Sequence, residues 1–273
     1  MPELPDLEAV KGVLNRRISG RRISAVAVLR PIALRNLTPL TPDGFLVGQT
    51  VKCVARRGKF LLWELDNSRW VAMNFMLAGH LRWADPVERA LARDYVAITF
   101  EEGTHLRYHD PEGMGKLYLT ERLDAIPGLA SLGPDADDPA LTAETFLERL
   151  GHHHGEIKGV LTRGAVVAGI GNAYADEILF AAGVYPFRKR TTLTRQEQVA
   201  LFQAMRTVLA EATAAVSERM GDDIHLKIRD MLRVHRRKGE PCPRCGQAIS
   251  EVNVRGSATN FCRRCQPGSL LDR

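Results

Sequence analysis

The stretch CPRCGQAISEVNVRGSATNFCRRC, Cys242–Cys265, holds two Cys-x-x-Cys pairs separated by sixteen residues. Each pair forms a tight turn that can present both sulfurs to one ion, and four thiolates suit tetrahedral zinc. Arg244, Arg263 and Arg264 sit inside the pairs, where positive charge favours the thiolate form. The expectation is one structural zinc ion on Cys242, Cys245, Cys262 and Cys265, with no open position. Such an ion can hold a basic hairpin, Glu251–Phe261, against a phosphate backbone. The fifth cysteine, Cys53, lies alone in a strand-like run and reads as a small buried apolar residue.

The charge around this module points the same way. From Lys227 to Cys265 ten basic residues face only Asp230, Glu240 and Glu251, a local excess larger than the +6 of all 273 residues. The C-terminal end is therefore basic and the remainder near neutral, and a polyanion is the natural partner. Hydrophobic residues at 45% and charged residues at 26% are ordinary globular usage, and the length suits two domains. No apolar run approaches the roughly 20 residues of a membrane span, and the N-terminus lacks the pattern of a signal peptide. A cytoplasmic, nucleoid-associated protein with no membrane partner is expected.

Towards the N-terminus, residues 5–18 place Leu7, Val10, Val13, Leu14 and Ile18 at helical spacing, with Pro5 in the first turn. Seven short strand-like runs follow: RISAVAVL, QTVKCVA, KFLLWEL, RWVAMNF, DYVAITF, HLRYH and KLYLT. Close spacing and intervening turn-formers predict a β-sandwich or barrel. PGLASLGPDADDPA, at 127–140, reads as a linker. Helical patterns then cover 141–150, 156–163, 172–183 and a long segment from Thr194 toward Met220, where Thr194 and Glu197 have capping-box spacing. The predicted class is α+β multidomain. Its parts are a helix plus β-sandwich over 1–126, a linker at 127–140, a helical domain over 141–235 and a zinc module over 236–273.

Three further motifs bear on function. In VVAGIGNAYADEILFAAG, Gly169 and Gly171 permit a tight turn before a helix start that offers N–H groups to an anion. Two readings stay open there: a helix–turn–helix that grips phosphate, with Asn172 as an added donor, or a helical hairpin with no ligand. In RRGKFLLWEL, Lys59 sits at a turn entering a strand; it gains interest only if that strand's start faces the N-terminus. His152–His154 are consecutive, so on a helix they point apart and do not share an ion.

MPELPDLE, RRGK, GHLR, RYHDP, VAGIGNAYADE and GEPCPRCG…FCRRCQ occur in this order. With them the chain resembles, end to end, the formamidopyrimidine-DNA glycosylase / endonuclease VIII family. The resemblance implies an N-terminal β-sandwich, a helix–two-turn–helix domain and a C-terminal four-cysteine zinc finger, binding double-stranded damaged DNA as a monomer. It implies that Pro2, freed by removal of Met1, attacks the anomeric carbon of a damaged nucleotide through its secondary amine. Glu3 carries over as the acid/base, and Lys59 as a catalytic, phosphate-contacting lysine. Lys158 and Asn172 match positions that hold the DNA backbone. The apolar wedge that fills the space of the extruded base falls on Met76 or Leu77, with Leu77 favoured.

The chain departs from the family pattern in three places. Asp110-Pro111-Glu112-Gly113-Met114-Gly115 lacks the arginine and aromatic that fill the gap and read the opposite base. The stretch from Gly221 to Val234 is short where the branch that caps 8-oxoguanine has a longer loop. Ser257 stands where the finger usually has an arginine, and Arg255 lies two residues earlier. The expected function is a base-excision glycosylase with abasic-site lyase action on oxidised or ring-opened bases, weak on 8-oxoguanine. The alternatives are a damage-binding relative that excises nothing, or a glycosylase shifted to alkylated, deaminated or cross-linked bases.

Overall fold

A computed structural model of the chain describes residues 1–254 and 256–268. The chain divides into two compact units, Met1–Ala130 with Thr213–Ile228, and Ser131–Ala212 with Arg229–Arg273.

In the first unit, helix α1 (Leu4–Ile18) precedes nine strands. One sheet orders β1 (Ile23–Val28), β7 (Asp94–Phe100), β8 (His105–His109) and β6 (His80–Trp83), all antiparallel. The other orders β2 (Leu34–Asn36), β9 (Lys116–Thr120), β5 (Trp70–Asn74), β4 (Phe60–Leu65) and β3 (Val51–Arg57). Its β2–β9 pair is parallel and the rest antiparallel. Leu61, Trp63, Val71, Met73, Leu117 and Leu119 are buried in the second sheet, and Val96, Ile98, Leu106 and Tyr108 in the first. The seven predicted runs all form strands. A short helix α2 (Pro42–Leu46), capped by Thr41, and strands β2 and β6 were not predicted.

The register Phe60↔Asn74↔Lys116 across β4, β5 and β9 matters for function. It sends three connections out at one end of the sheet: the Gly58-Lys59 turn, the loop after Asn74 and the loop before Lys116.

The second unit contains α3 (Ala143–Gly151), α4 (Ile157–Thr162), α5 (Asn172–Ala182) and the start of α6 (Arg195–Met220). Thr194 and Glu197 form the expected capping box: Glu197 N donates to Thr194 Oγ1 at 3.2 Å and Thr194 N to Glu197 Oε2 at 2.7 Å. One correction concerns α6. It spans 26 residues, and 18 of them average a hydropathy of 1.3, so it is long and apolar enough to cross a membrane by length and composition. Leu201, Met205, Leu209, Val216 and Met220 lie buried along it at helical spacing, as in an amphipathic core helix. The unit ends in the hairpin β10 (Ser250–Val254) and β11 (Ser257–Phe261).

Candidate active site

The first residues of α1 are held by their own carboxylates. Glu3 is the N-cap, and it forms a capping box with Asp6 in which each side chain takes the other's backbone N–H. Glu3 N donates to Asp6 Oδ2 at 2.8 Å. Both carboxylates are buried, Glu3 to 2% exposure, at a helix N-terminus where a negative charge is favoured. Pro2, half-buried, is fixed directly in front of this box.

Lys59 follows Gly58, which adopts φ 58° at the first position of the two-residue turn between β3 and β4. A positive φ suits glycine there. Burial pushes the Lys59 amine below its ordinary pKa, and the Glu3 carboxylate pulls it back up. The pull of the Glu3 carboxylate on the amine places the start of this strand near the head of α1. Side chains that the sequence reading missed secure this arrangement. Arg56 donates to Glu8 Oε1 at 2.5 Å and to the Gly58 carbonyl at 3.1 Å. Asn15 brackets Val54, accepting its N–H at 2.8 Å and donating to its carbonyl at 2.7 Å.

Leu77 is 51% exposed at the end of the sheet from which Lys59 emerges, whereas Met76 is half-buried with φ 48°. Cys53 departs from expectation: it is half-buried, with Sγ 3.7 Å from Glu64 Oε2, and burial and that carboxylate raise its pKa.

In the second unit, Asn172 opens α5, donates to the Ala258 carbonyl at 2.8 Å and accepts from Ser257 Oγ at 3.0 Å. Lys158 is 8% exposed. Its amine lies 2.7 Å from Asp176 Oδ1 and donates to Thr259 Oγ1 at 2.9 Å and the Ala258 carbonyl at 3.2 Å. The lysine expected on the DNA backbone thus binds strand β11 to α4 and α5. The following glutamate, Glu177, accepts the N–H groups of Arg233, Val234 and His235 at 2.8–2.9 Å. The segment ADEILF carried a hint, because an acidic pair between apolar neighbours on a helix is exposed or fully bonded.

The four zinc-type cysteines come together, their sulfurs all within 4.8 Å of one another. Cys242 and Cys265 lie 3.8 Å apart and Cys245 and Cys262 3.5 Å. A tetrahedron with Zn–S bonds of about 2.3 Å has edges of about 3.8 Å, so the residues fit the ion. It supplies four closed bonds and no chemistry. Arg244 donates to the Phe180 and Ala181 carbonyls at 2.7 and 2.9 Å, joining the module to the C-terminal end of α5. The hairpin itself is not basic: it contains one acid, Glu251, and one base, Arg255, so the positive charge flanks it. Arg255 lies outside the described residues.

Comparison with known proteins gives the family. The formamidopyrimidine-DNA glycosylase N-terminal domain matches residues 1–117, the H2TH domain of the same enzymes 132–222, and the zinc finger found in FPG and IleRS 239–268. The formamidopyrimidine-DNA glycosylase of Symbiobacterium thermophilum is 38% identical, over 98% of this chain and 90% of that one. That of Geobacillus kaustophilus is 34% identical, over 97% and 100%. The MutM (Fpg) structure from Thermus thermophilus aligns with a TM-score of 0.86 at 31% identity, over 98% of this chain and 100% of that one. Lactococcus lactis Fpg (MutM) bound to DNA containing N7-benzyl-Fapy-dG aligns at 0.89 and 27%, with the same coverage. The chain belongs to the formamidopyrimidine-DNA glycosylase family.

Proposed function

We propose that this enzyme is a base-excision repair glycosylase with abasic-site lyase activity, acting as a monomer on damaged double-stranded DNA at the nucleoid, with no membrane partner. The observation that supports the reading is the buried Lys59 amine acting on the capped Glu3, the residue directly after Pro2. A protein that only binds damage could keep Glu3 as the cap of α1, but it has no need of a desolvated lysine acting on that carboxylate directly behind a residue that becomes a terminal amine.

Once Met1 is removed, Pro2 is a secondary amine. A terminal amine has a reference pKa near 8, which leaves about a tenth of it neutral at pH 7. Its nitrogen forms a bond to C1′ as the glycosidic bond breaks, and the base leaves with the bonding pair and takes up a proton. Glu3 handles the proton at the sugar oxygen as the ring opens, giving a cationic imine. Loss of a C2′ proton then expels the 3′ phosphate, and water releases Pro2. Lys59 holds phosphate and Leu77 fills the vacated stack. Asn172 contributes a contact to the DNA backbone. Lys158 holds strand β11 of the hairpin, and a zinc ion on the four cysteines would hold its base; Ser257 in place of an arginine favours a single elimination, with Arg255 the nearest substitute. With the 110–115 loop and the short 221–234 stretch, oxidised or ring-opened bases are the substrates and 8-oxoguanine is a poor one.

The test is borohydride trapping on abasic duplex DNA with protein whose intact mass shows Met1 removed. A covalent complex that disappears when the amino terminus is blocked supports the reading. No complex would leave a damage-binding relative or a glycosylase without lyase action.

A further inference from the structure

Tyr108 takes no part in the chemistry above. It lies on β8 of the four-stranded sheet, 3% exposed, yet its hydroxyl reaches both loops that leave one end of the other sheet. A Cβ at Gly79 would lie 2.7 Å from that oxygen, and one at Gly115 would lie 1.8 Å from it. Both glycines therefore make room for the phenol, which no other residue type would leave. The hydroxyl donates to Asp110 Oδ2 at 3.2 Å, and the same oxygen accepts Gly115 N at 2.7 Å. Asp110 Oδ1 takes Glu112 N at 3.1 Å. Burial and the Asp110 carboxylate push the phenol pKa up, so it stays a donor.

The first loop is closed by Gly79 N on the Phe75 carbonyl at 3.0 Å and by Met76 N on Asn74 Oδ1 at 3.1 Å. It presents Leu77, 51% exposed. The second turns at Gly113, with φ 67° and no room for a Cβ against Tyr95, and presents Met114, 42% exposed. The Asn74↔Lys116 pair sets these loops side by side. An apolar side chain inserted into a duplex must displace stacked bases, at a cost of a few kcal/mol. Two such side chains held by one bolt before binding lose less freedom on insertion than two independent ones.

We propose that Tyr108 is a positioning residue for lesion recognition: its hydroxyl bolts the Phe75–Gly79 and Asp110–Gly115 loops together, so that Leu77 and Met114 enter the DNA as one two-pronged wedge. The inference rests on the proposed glycosylase reading. Met114 thereby does work for which this loop has no aromatic.

The experiment uses duplex DNA with a tetrahydrofuran abasic analogue opposite 2-aminopurine, whose fluorescence rises on unstacking and needs no catalysis. Full-length wild-type protein, Leu77→Ala, Met114→Ala and the double variant are compared, then the same set in a Tyr108→Phe background. With Tyr108 present, each single variant should lose most of the fluorescence rise and the double should lose little more. In Tyr108→Phe the rise should fall by at least half, and the remaining losses should add independently. Asp110→Asn, which keeps the tyrosine and exchanges the hydroxyl's charged acceptor for a neutral one, should move the fluorescence and the additivity in the same direction as Tyr108→Phe and serves if that variant folds poorly. Wild-type fluorescence in Tyr108→Phe and Asp110→Asn, or additive losses with Tyr108 intact, would overturn the proposal. Borohydride trapping on single-stranded abasic DNA, where no wedge is needed, separates the two readings. If trapping fails in wild type, the catalytic reading falls while the fluorescence still decides the wedge.

Discussion

Arg56 Nε lies 2.5 Å from Glu8 Oε1, so a largely buried ion pair ties α1 to the strand that leads into the Lys59 turn. The same guanidinium holds the Gly58 carbonyl. Arg56→Met should destabilise the protein by about 1–2 kcal/mol, since it removes one of two cations from Glu8 and leaves only Lys11, 2.5 Å from Oε2, to pair it. It should also slow borohydride trapping at saturating DNA, because Lys59 and Pro2 lose their common support. Burial alone would raise the Glu8 pKa, but Lys11 and Arg56 outweigh it and the net shift is downward. That stability is present above the ordinary glutamate pKa and is lost as pH falls through the lowered one. Urea melts should show the gap between wild type and Glu8→Gln closing as the solution is acidified below about pH 4. A gap that widened on acidification would contradict the assignment.

Lys59 is held at a cost. Burial pushes its pKa down and Glu3 opposes the shift, so Glu3→Gln should lower the amine's pKa further, as read by NMR titration of the side chain. Unfolded lysine stays charged up to about pH 10.4, so below that value burying this amine costs stability. Lys59→Met should therefore stabilise the fold at pH 7 by about 1 kcal/mol, roughly 2–4 °C, while abolishing activity. The gain should shrink as pH rises towards the unfolded value. A Lys59→Met protein that melts below wild type at pH 7 would mean the lysine is supported by bonds rather than strained.

Much of this was legible in the sequence, for identifiable reasons. The cysteine pairs announce themselves because a tetrahedral ion demands fixed spacing, and the seven strands alternate or run apolar between turn-formers. Strand β2 has only three residues, Leu34–Asn36, too few for a period to register. Strand β6 follows directly on the Leu77 loop without a breaker beyond Gly79. The inward turn of Lys158 depends on Asp176, eighteen residues away, and on Thr259, a hundred and one away. No local pattern encodes such a contact.

Ser257 Oγ donates to Asn172 Oδ1 at 3.0 Å, which ties the first residue of β11 to the start of α5. On abasic DNA the main product should retain the sugar fragment on the 3′ end of the upstream strand. Ser257→Arg should raise the share of ends bearing only phosphate, resolved on a denaturing gel. An unchanged product ratio would show that the second elimination is governed elsewhere.

Removing the metal should dissolve the hairpin rather than the whole unit. Glu177 fixes residues 233–235 independently of the cysteines. Chelation at neutral pH should release zinc in a one-to-one ratio, lower DNA affinity at least tenfold and leave the helical circular dichroism largely intact. Affinity should also fall steeply with salt as counterions are released. Normal duplex binding by the metal-free protein would remove the finger from the binding surface.

The carboxylate of Glu3 caps α1, and in the proposed reaction it also handles the proton of the sugar. Its two duties cannot be separated by drift. A descendant that gave up the chemistry would still need an acceptor at the head of its first helix. Retired lineages of this fold should therefore carry aspartate, serine, threonine or asparagine at the third position. An alanine or leucine there would mark a chain that had lost its first helix's anchorage along with its trade.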